Sequence, residues 1–204
     1  MNLQDRHSEL LITIGINPNE INSLWLDLEK AYSAKSRQYH NLNHLKEMIE
    51  LFDRHHSSLK NPNEVLYSIF YHDYIYKATR KDNELKSAEY ALAILPNAIS
   101  LNKQLVFDAI CATQLHQHNK IEDINWLIDF DLKILSKDWK NYQMYCNQIR
   151  KEYKMYPNIL YKPGRRKALG HFLEQEFIYN TEIFRNLFDE NAKANIKREI
   201  SLLT

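Results

Sequence analysis

His40 and His44 stand four residues apart in the string Tyr39-His40-Asn41-Leu42-Asn43-His44, and His72-Asp73 follows as an adjacent pair. Four residues make about one helical turn, so a helix would carry both imidazoles on one face. The HD pair adds a nitrogen and an oxygen donor from a second segment. Such mixed imidazole and carboxylate donors suit a divalent ion of the hydrolytic kind. An ion so held acidifies water and offsets charge on an attacked phosphoryl group, which makes hydrolysis the economical chemistry.

An HD dipeptide alone carries little weight, because nine His and eleven Asp in 204 residues give about 0.5 occurrences by chance. Its weight comes from order. His44 precedes the pair by 28 residues, while Asp129 and Asp131 follow on a later apolar segment, so the order H, HD, D could surround one ion. His116 lies between the pair and the two aspartates; it could bind a second ion, contact phosphate or orient a ligand. His118 points elsewhere if the helix continues, and His55-His56 are adjacent side chains that diverge in polar surroundings.

Other polar residues could serve a substrate. Arg37, close before His40, is a phosphate-clamp candidate or a solvated charge at a helix entry. Lys77, Asn83 and Glu84 follow the HD segment and could contact substrate, with Asn83 equally suited to cap the next helix. Arg150 and Tyr153 are i, i+3 neighbours that could share an anion or belong to a structural pair. Lys162, Arg165, Arg166 and Lys167 form a compact basic run without the breadth of a nucleic-acid footprint. No Gly-rich phosphate loop or serine-nucleophile motif competes.

The elements that must position these residues read as helices. Ile21, Leu24, Trp25, Leu28 and Tyr32 recur at helical spacing behind Asn17-Pro18. Asn41 suits the N-cap of a helix whose stripe of Leu42, Leu45, Met48, Ile49 and Phe52 turns His44 inward. After the Asn61-Pro62-Asn63 break, Val65, Leu66, Ile69 and Phe70 lead directly into His72-Asp73. Further helices are expected through Ala88–Leu95, from Leu101 towards His116, over Ile121–Leu135 and over Asp138–Tyr153. A loop is expected over Tyr156–Gly164, then two helices joined near Asn180-Thr181.

Composition sets the frame. With 44% hydrophobic residues, 204 residues can bury one substantial core, and three glycines with five prolines offer little turn chemistry for a many-stranded sheet. A single all-α domain over residues 1–204 is expected. The net charge of +1 supplies no field for a nucleic-acid polymer or an acidic membrane. Two cysteines, Cys111 and Cys146, make no disulfide framework, and no apolar leader or span is evident, so a cytoplasmic location is expected.

The H, HD, D order and its surroundings resemble the HD-domain metal-dependent phosphohydrolases. The string YHNLNH is similar to that of cyclic nucleotide phosphodiesterases, though the large catalytic domain of those enzymes is absent. The resemblance to a group of bacterial HD hydrolases of similar size runs from Arg37-Gln38-Tyr39-His40 through HDYIY, DNELKSA, ATQLH, DFDLKIL and IRKEY to Gly164-Arg165. It implies an HD-type helical bundle with additional C-terminal helices. It implies His44, His72, Asp73 and Asp129 as ligands of one or two divalent ions (Mn, Mg, Co, Fe, Ni or Zn). Asp129 is preferred over Asp131 because the first carboxylate of the family's Asp-x-Asp string binds metal. His40 matches a phosphate-contacting proton donor, with Arg37 and His116 in support. The implied substrate is a small, nucleotide-like phosphorylated molecule, cleaved at a phosphoester or phosphoanhydride; a homodimer is left open. Some HD relatives are di-iron oxygenases, and a non-catalytic metal or nucleotide sensor would keep the same residues.

Overall fold

The computed structural model describes residues 2–203, and among them ten α-helices and no strand are found, which bears out the all-α expectation. In chain order the helices are α1 (Leu3–Ile14), α2 (Pro18–Tyr32), α3 (Leu42–His55), α4 (Pro62–Tyr71) and α5 (Asn83–Ala93). The remainder are α6 (Lys103–Ala112), α7 (Glu122–Leu132), α8 (Trp139–Glu152), α9 (Asn158–Glu174) and α10 (Glu182–Leu202). No helix among the described residues is long and apolar enough to cross a membrane.

Local sequence explains most of the boundaries. The Asn2, Asn17, Asn41, Asn102, Asp138 and Thr181 side chains each accept a first-turn N–H, satisfying donors that a helix start leaves unpaired. Helix α1 stops at Gly15, whose φ of +95° is the left-handed conformation that lets the Ile16 N–H reach back to the Leu11 carbonyl.

Helix α7 is the hub. Nine of its eleven residues are buried, including Ile124, Trp126, Leu127, Ile128 and Phe130, so it meets protein all round. Helices α3, α4 and α6 pack against it, and each fully buried Leu or Ile among them contributes about 1.5–3 kcal/mol. The Asp123 carboxylate at the start of α7 accepts the Lys60 and Asn61 N–H groups, fixing the entry to α4.

Three expectations are corrected. First, His40 precedes α3 and its cap Asn41, so it does not share a helix face with His44. The segment expected as a loop over Tyr156–Gly164 becomes helical from Asn158 onward, and α9 runs through Pro163 and Gly164. Pro163 lies in the second turn, where it removes one donor without breaking the helix, and only Tyr161 and Leu169 of α9 are buried. The helix expected to carry His116 ends at Ala112, leaving His116 in the following loop with a φ of +53°.

Candidate metal centre

Three donors converge from three helices. His44 comes from the first turn of α3, His72 from the residue that ends α4, and Asp131 from the last turn of α7. One donor atom from each lies within 4.8 Å of the others. His44 Nε2 is 3.3 Å from His72 Nε2 and 3.1 Å from Asp131 Oδ1, and His72 Nε2 is 3.9 Å from the same oxygen. Asp73 adds Oδ2 at 3.3 Å from His72 Nε2.

These donors fit a divalent ion. Ligand atoms about 2.0–2.2 Å from a metal stand about 3.0 Å apart at right angles and about 3.5 Å apart tetrahedrally, close to the spacings here. The His72 ring nitrogen Nδ1 is 2.9 Å from the Ile69 carbonyl, to which it donates, so in the neutral ring Nε2 presents its lone pair to His44, Asp73 and Asp131. Lone pairs and carboxylates aimed at one point repel unless a cation lies among them.

The closeness of these groups also shows in their proton affinities, where the two carboxylates and His72 hold one another ionised. Burial would raise the pKa of Asp131, but hydrogen bonds with His116 and His44 and the His72 charge hold it well below the carboxylate range. Burial likewise opposes ionised Asp73, yet His72 and His40 hold its pKa low. Burial disfavours charged His72, but Asp73 and Asp131 outweigh it and raise its pKa to about 9.

Asp129 does not join this group. Its carboxylate accepts the Asn180 N–H, the Thr181 N–H and the Thr181 hydroxyl, all at 2.7 Å, and so fastens the start of α10 to α7. Two residues on a helix differ by about 200°, so Asp129 and Asp131 face opposite ways, and Asp131 has the place expected of Asp129. Burial, only partly offset by these hydrogen bonds, raises the pKa of Asp129 to about 7.

His40 stands beside the trio, its ring centroid 6.0 Å from that of His44. Its Nδ1 is 2.6 Å from Glu152 Oε2, leaving Nε2 as the edge available to a ligand. Glu152 also accepts the Gln38, Tyr39 and His40 N–H groups through Oε1 and the Tyr76 hydroxyl through Oε2. Burial would lower the pKa of His40, but the Asp73 charge and the Glu152 hydrogen bond raise it, favouring the protonated ring. Glu152, overlooked as a site residue, sits inside the IRKEY string between Arg150 and Tyr153.

His116 is close as well: its Nε2 lies 3.0 Å from Asp131 Oδ2, so the two Asp131 oxygens serve different histidines. Glu84, half-buried in the first turn of α5, is near enough to Asp73, His116 and His72 to feel their charges, and burial raises its pKa.

Arg37 and Arg150 are spent on the backbone. Arg37 donates to the carbonyls of His40, Asp73 and Tyr74, tying the His40 string to the HD pair, so it is not a free phosphate clamp. Arg150 donates to the Tyr153 and Tyr156 carbonyls and to Asn158, holding the turn between α8 and α9. Asn83 exchanges hydrogen bonds with the backbone of exposed Lys77, closing the loop after the HD pair. Tyr153 lines a cavity that also reaches His40. Compared with protein-family models, curated proteins and solved structures, the chain finds no match.

Proposed function

We propose that the chain is a metal-dependent phosphohydrolase that cleaves a phosphoester or phosphoanhydride in a small, nucleotide-like substrate. The observation that carries this reading is the convergence of His44, His72 and Asp131 within 4.8 Å, with Asp73 at their edge. A divalent ion in such a donor set acidifies water and offsets negative charge on a phosphoryl group. His44, His72, Asp73 and Asp131 would hold it, and His116 beside the second Asp131 oxygen offers a ligand for a second ion.

His40 supplies the acid. Its Nδ1 is fixed by Glu152, so a proton on Nε2 is directed to the cavity it shares with Asp131 and His116. A positioned imidazolium there can donate to a leaving oxygen, a step that contributes about 10²–10⁴-fold. The reading carries with it a cytoplasmic location, in keeping with the free Cys111 and Cys146.

The test is metal analysis of protein purified without added metals, then assay of mono-, di- and cyclic nucleotides with Mn, Mg, Co and Fe. Bound metal and metal-dependent phosphate release are expected, both lost in Asp131→Ala and Asp73→Ala. Full activity in the metal-free protein would sink the proposal. Iron with an oxygen-dependent product would replace it by an oxygenase.

A further inference from the structure

A cavity of about 410 Å³ lies between α8 and α9, lined by Tyr145, Tyr153, Tyr156, Tyr161 and Leu160, with His40 also on its wall. A smaller cavity shares His40, Tyr145, Arg165 and Ala168 with it and continues to Asp131 and His116. The aromatic path is continuous: the Tyr145 ring packs edge-on against Tyr39 at 4.7 Å, and Tyr39 lies 4.9 Å from both His40 and His44. One molecule of modest size can therefore have one end at the donor trio and the other among the tyrosines.

The charge in the larger cavity decides what that other end is. No carboxylate lines it, and its one guanidinium, Arg165, is held by Glu199 with Nε–Oε1 at 2.8 Å and Nη2–Oε2 at 3.1 Å. The other cationic group on the wall, His40, has its Nδ1 on Glu152 and its Nε2 assigned to the first phosphate, so a second phosphate placed there would be partly desolvated with no further cation to meet it. Tyrosine rings instead offer apolar faces with polar tips, suited to a flat ring that carries hydrogen-bonding groups. Gly164 supplies the means of a test. It sits inside α9, where glycine weakens a helix, although a Cβ at this position would meet nothing within 4 Å. Gly164 borders the cavity on an exposed stretch of α9, so a larger side chain at this position can be used to fill it.

Resting on the phosphohydrolase reading, we infer that the α8/α9 cavity is a subsite for an uncharged planar aromatic group. The substrate would then carry its phosphate at one end only, with an aromatic ring such as a nucleobase at the other. Molecules phosphorylated at both ends are excluded by the same cavity.

The experiment compares wild type with Gly164→Leu, whose side chain would fill the cavity, and with Gly164→Ala as a control for the helix. The four ribonucleosides are titrated into each protein by calorimetry, with ribose as the non-aromatic control. At least one nucleoside is expected to bind wild type and Gly164→Ala, and to bind Gly164→Leu at least tenfold more weakly, while melting curve and metal content are unaltered. In metal-loaded protein, the kcat/KM ratio of phenyl phosphate to ethyl phosphate should fall at least tenfold in Gly164→Leu. No nucleoside binding to wild type, or equal binding to wild type and a folded Gly164→Leu, would overturn the subsite. Turnover of nucleoside 3′,5′-bisphosphates in preference to 5′-monophosphates would overturn it too. Nucleoside binding that Gly164→Leu abolishes, in a protein that hydrolyses no phosphate ester, would uphold the subsite and remove the phosphohydrolase reading instead.

Discussion

Replacing Glu152 by Gln should expose how much one carboxylate does for the His40 string. Burial would push its pKa up, but the His40 hydrogen bond and charge, with the Tyr39 N–H and Tyr76 hydroxyl, hold it down at about 2 against an ordinary 4.5. A carboxylate whose folded pKa is depressed contributes stability that is complete above the unfolded value and disappears as pH falls through the folded one. The 2.5-unit difference corresponds to about 3 kcal/mol at pH 7, shrinking to about 1.5 kcal/mol by pH 3. Glutamine keeps a carbonyl for the Gln38, Tyr39 and His40 N–H groups, yet it turns an NH₂ towards His40 Nδ1 and removes the charge. Urea unfolding of wild type and Glu152→Gln at pH 7, 5 and 3 measures what the carboxylate contributes together with its pairing to His40. A gap near 3 kcal/mol at pH 7 that narrows towards pH 3 is expected. A gap below about 1 kcal/mol, or one independent of pH, would refute the account of Glu152 as the ionised anchor of His40.

Three further outcomes follow from other buried groups. His7 is fully buried against Tyr71, with its Nδ1 unpartnered, and burial lowers its pKa to about 4 from 6.5. Because the unfolded chain takes up this proton first, wild type should lose about 3 kcal/mol relative to His7→Leu as pH falls from 7.5 to below 4, read by urea midpoints; parallel curves would dismiss this. Asp129→Ala leaves the Asn180 and Thr181 N–H groups buried without their acceptor and should cost about 3–5 kcal/mol in denaturant while the folded variant still binds metal. Asp131→Ala should lose metal while Asn180 and Thr181 keep their acceptor on Asp129, and an exchange of the two metal-binding phenotypes in metal titrations would reverse their roles.

Much of this was legible because local rules and burial agreed. Asn41 caps α3 and the stripe of Leu45, Met48, Ile49 and Phe52 turns His44 inward, while the apolar run from Val65 ends α4 at His72. The choice between Asp129 and Asp131 was not legible from periodicity, because α7 is buried on every side and an apolar stripe cannot say which face meets the histidines. The role of Glu152 has no signal in the sequence because its partners in the His40 string lie 112 to 114 residues away, beyond any helical periodicity. Pro163-Gly164 reads as a turn, but α9 carries the proline in its second turn at the loss of one donor, and nothing in its local chemistry reveals that α9 walls a cavity.

The clamp between Asp129 and the start of α10 also acts as an angular stop. Three hydrogen bonds on one side of α7 fix its roll about its own axis, and that roll aims Asp131 on the other side. A turn of α7 by a single residue's 100° would carry Asp131 away from His44 and His72 altogether. The 21-residue helix at the end of the chain, which supplies no donor to the trio, thus sets the bearing of one that does.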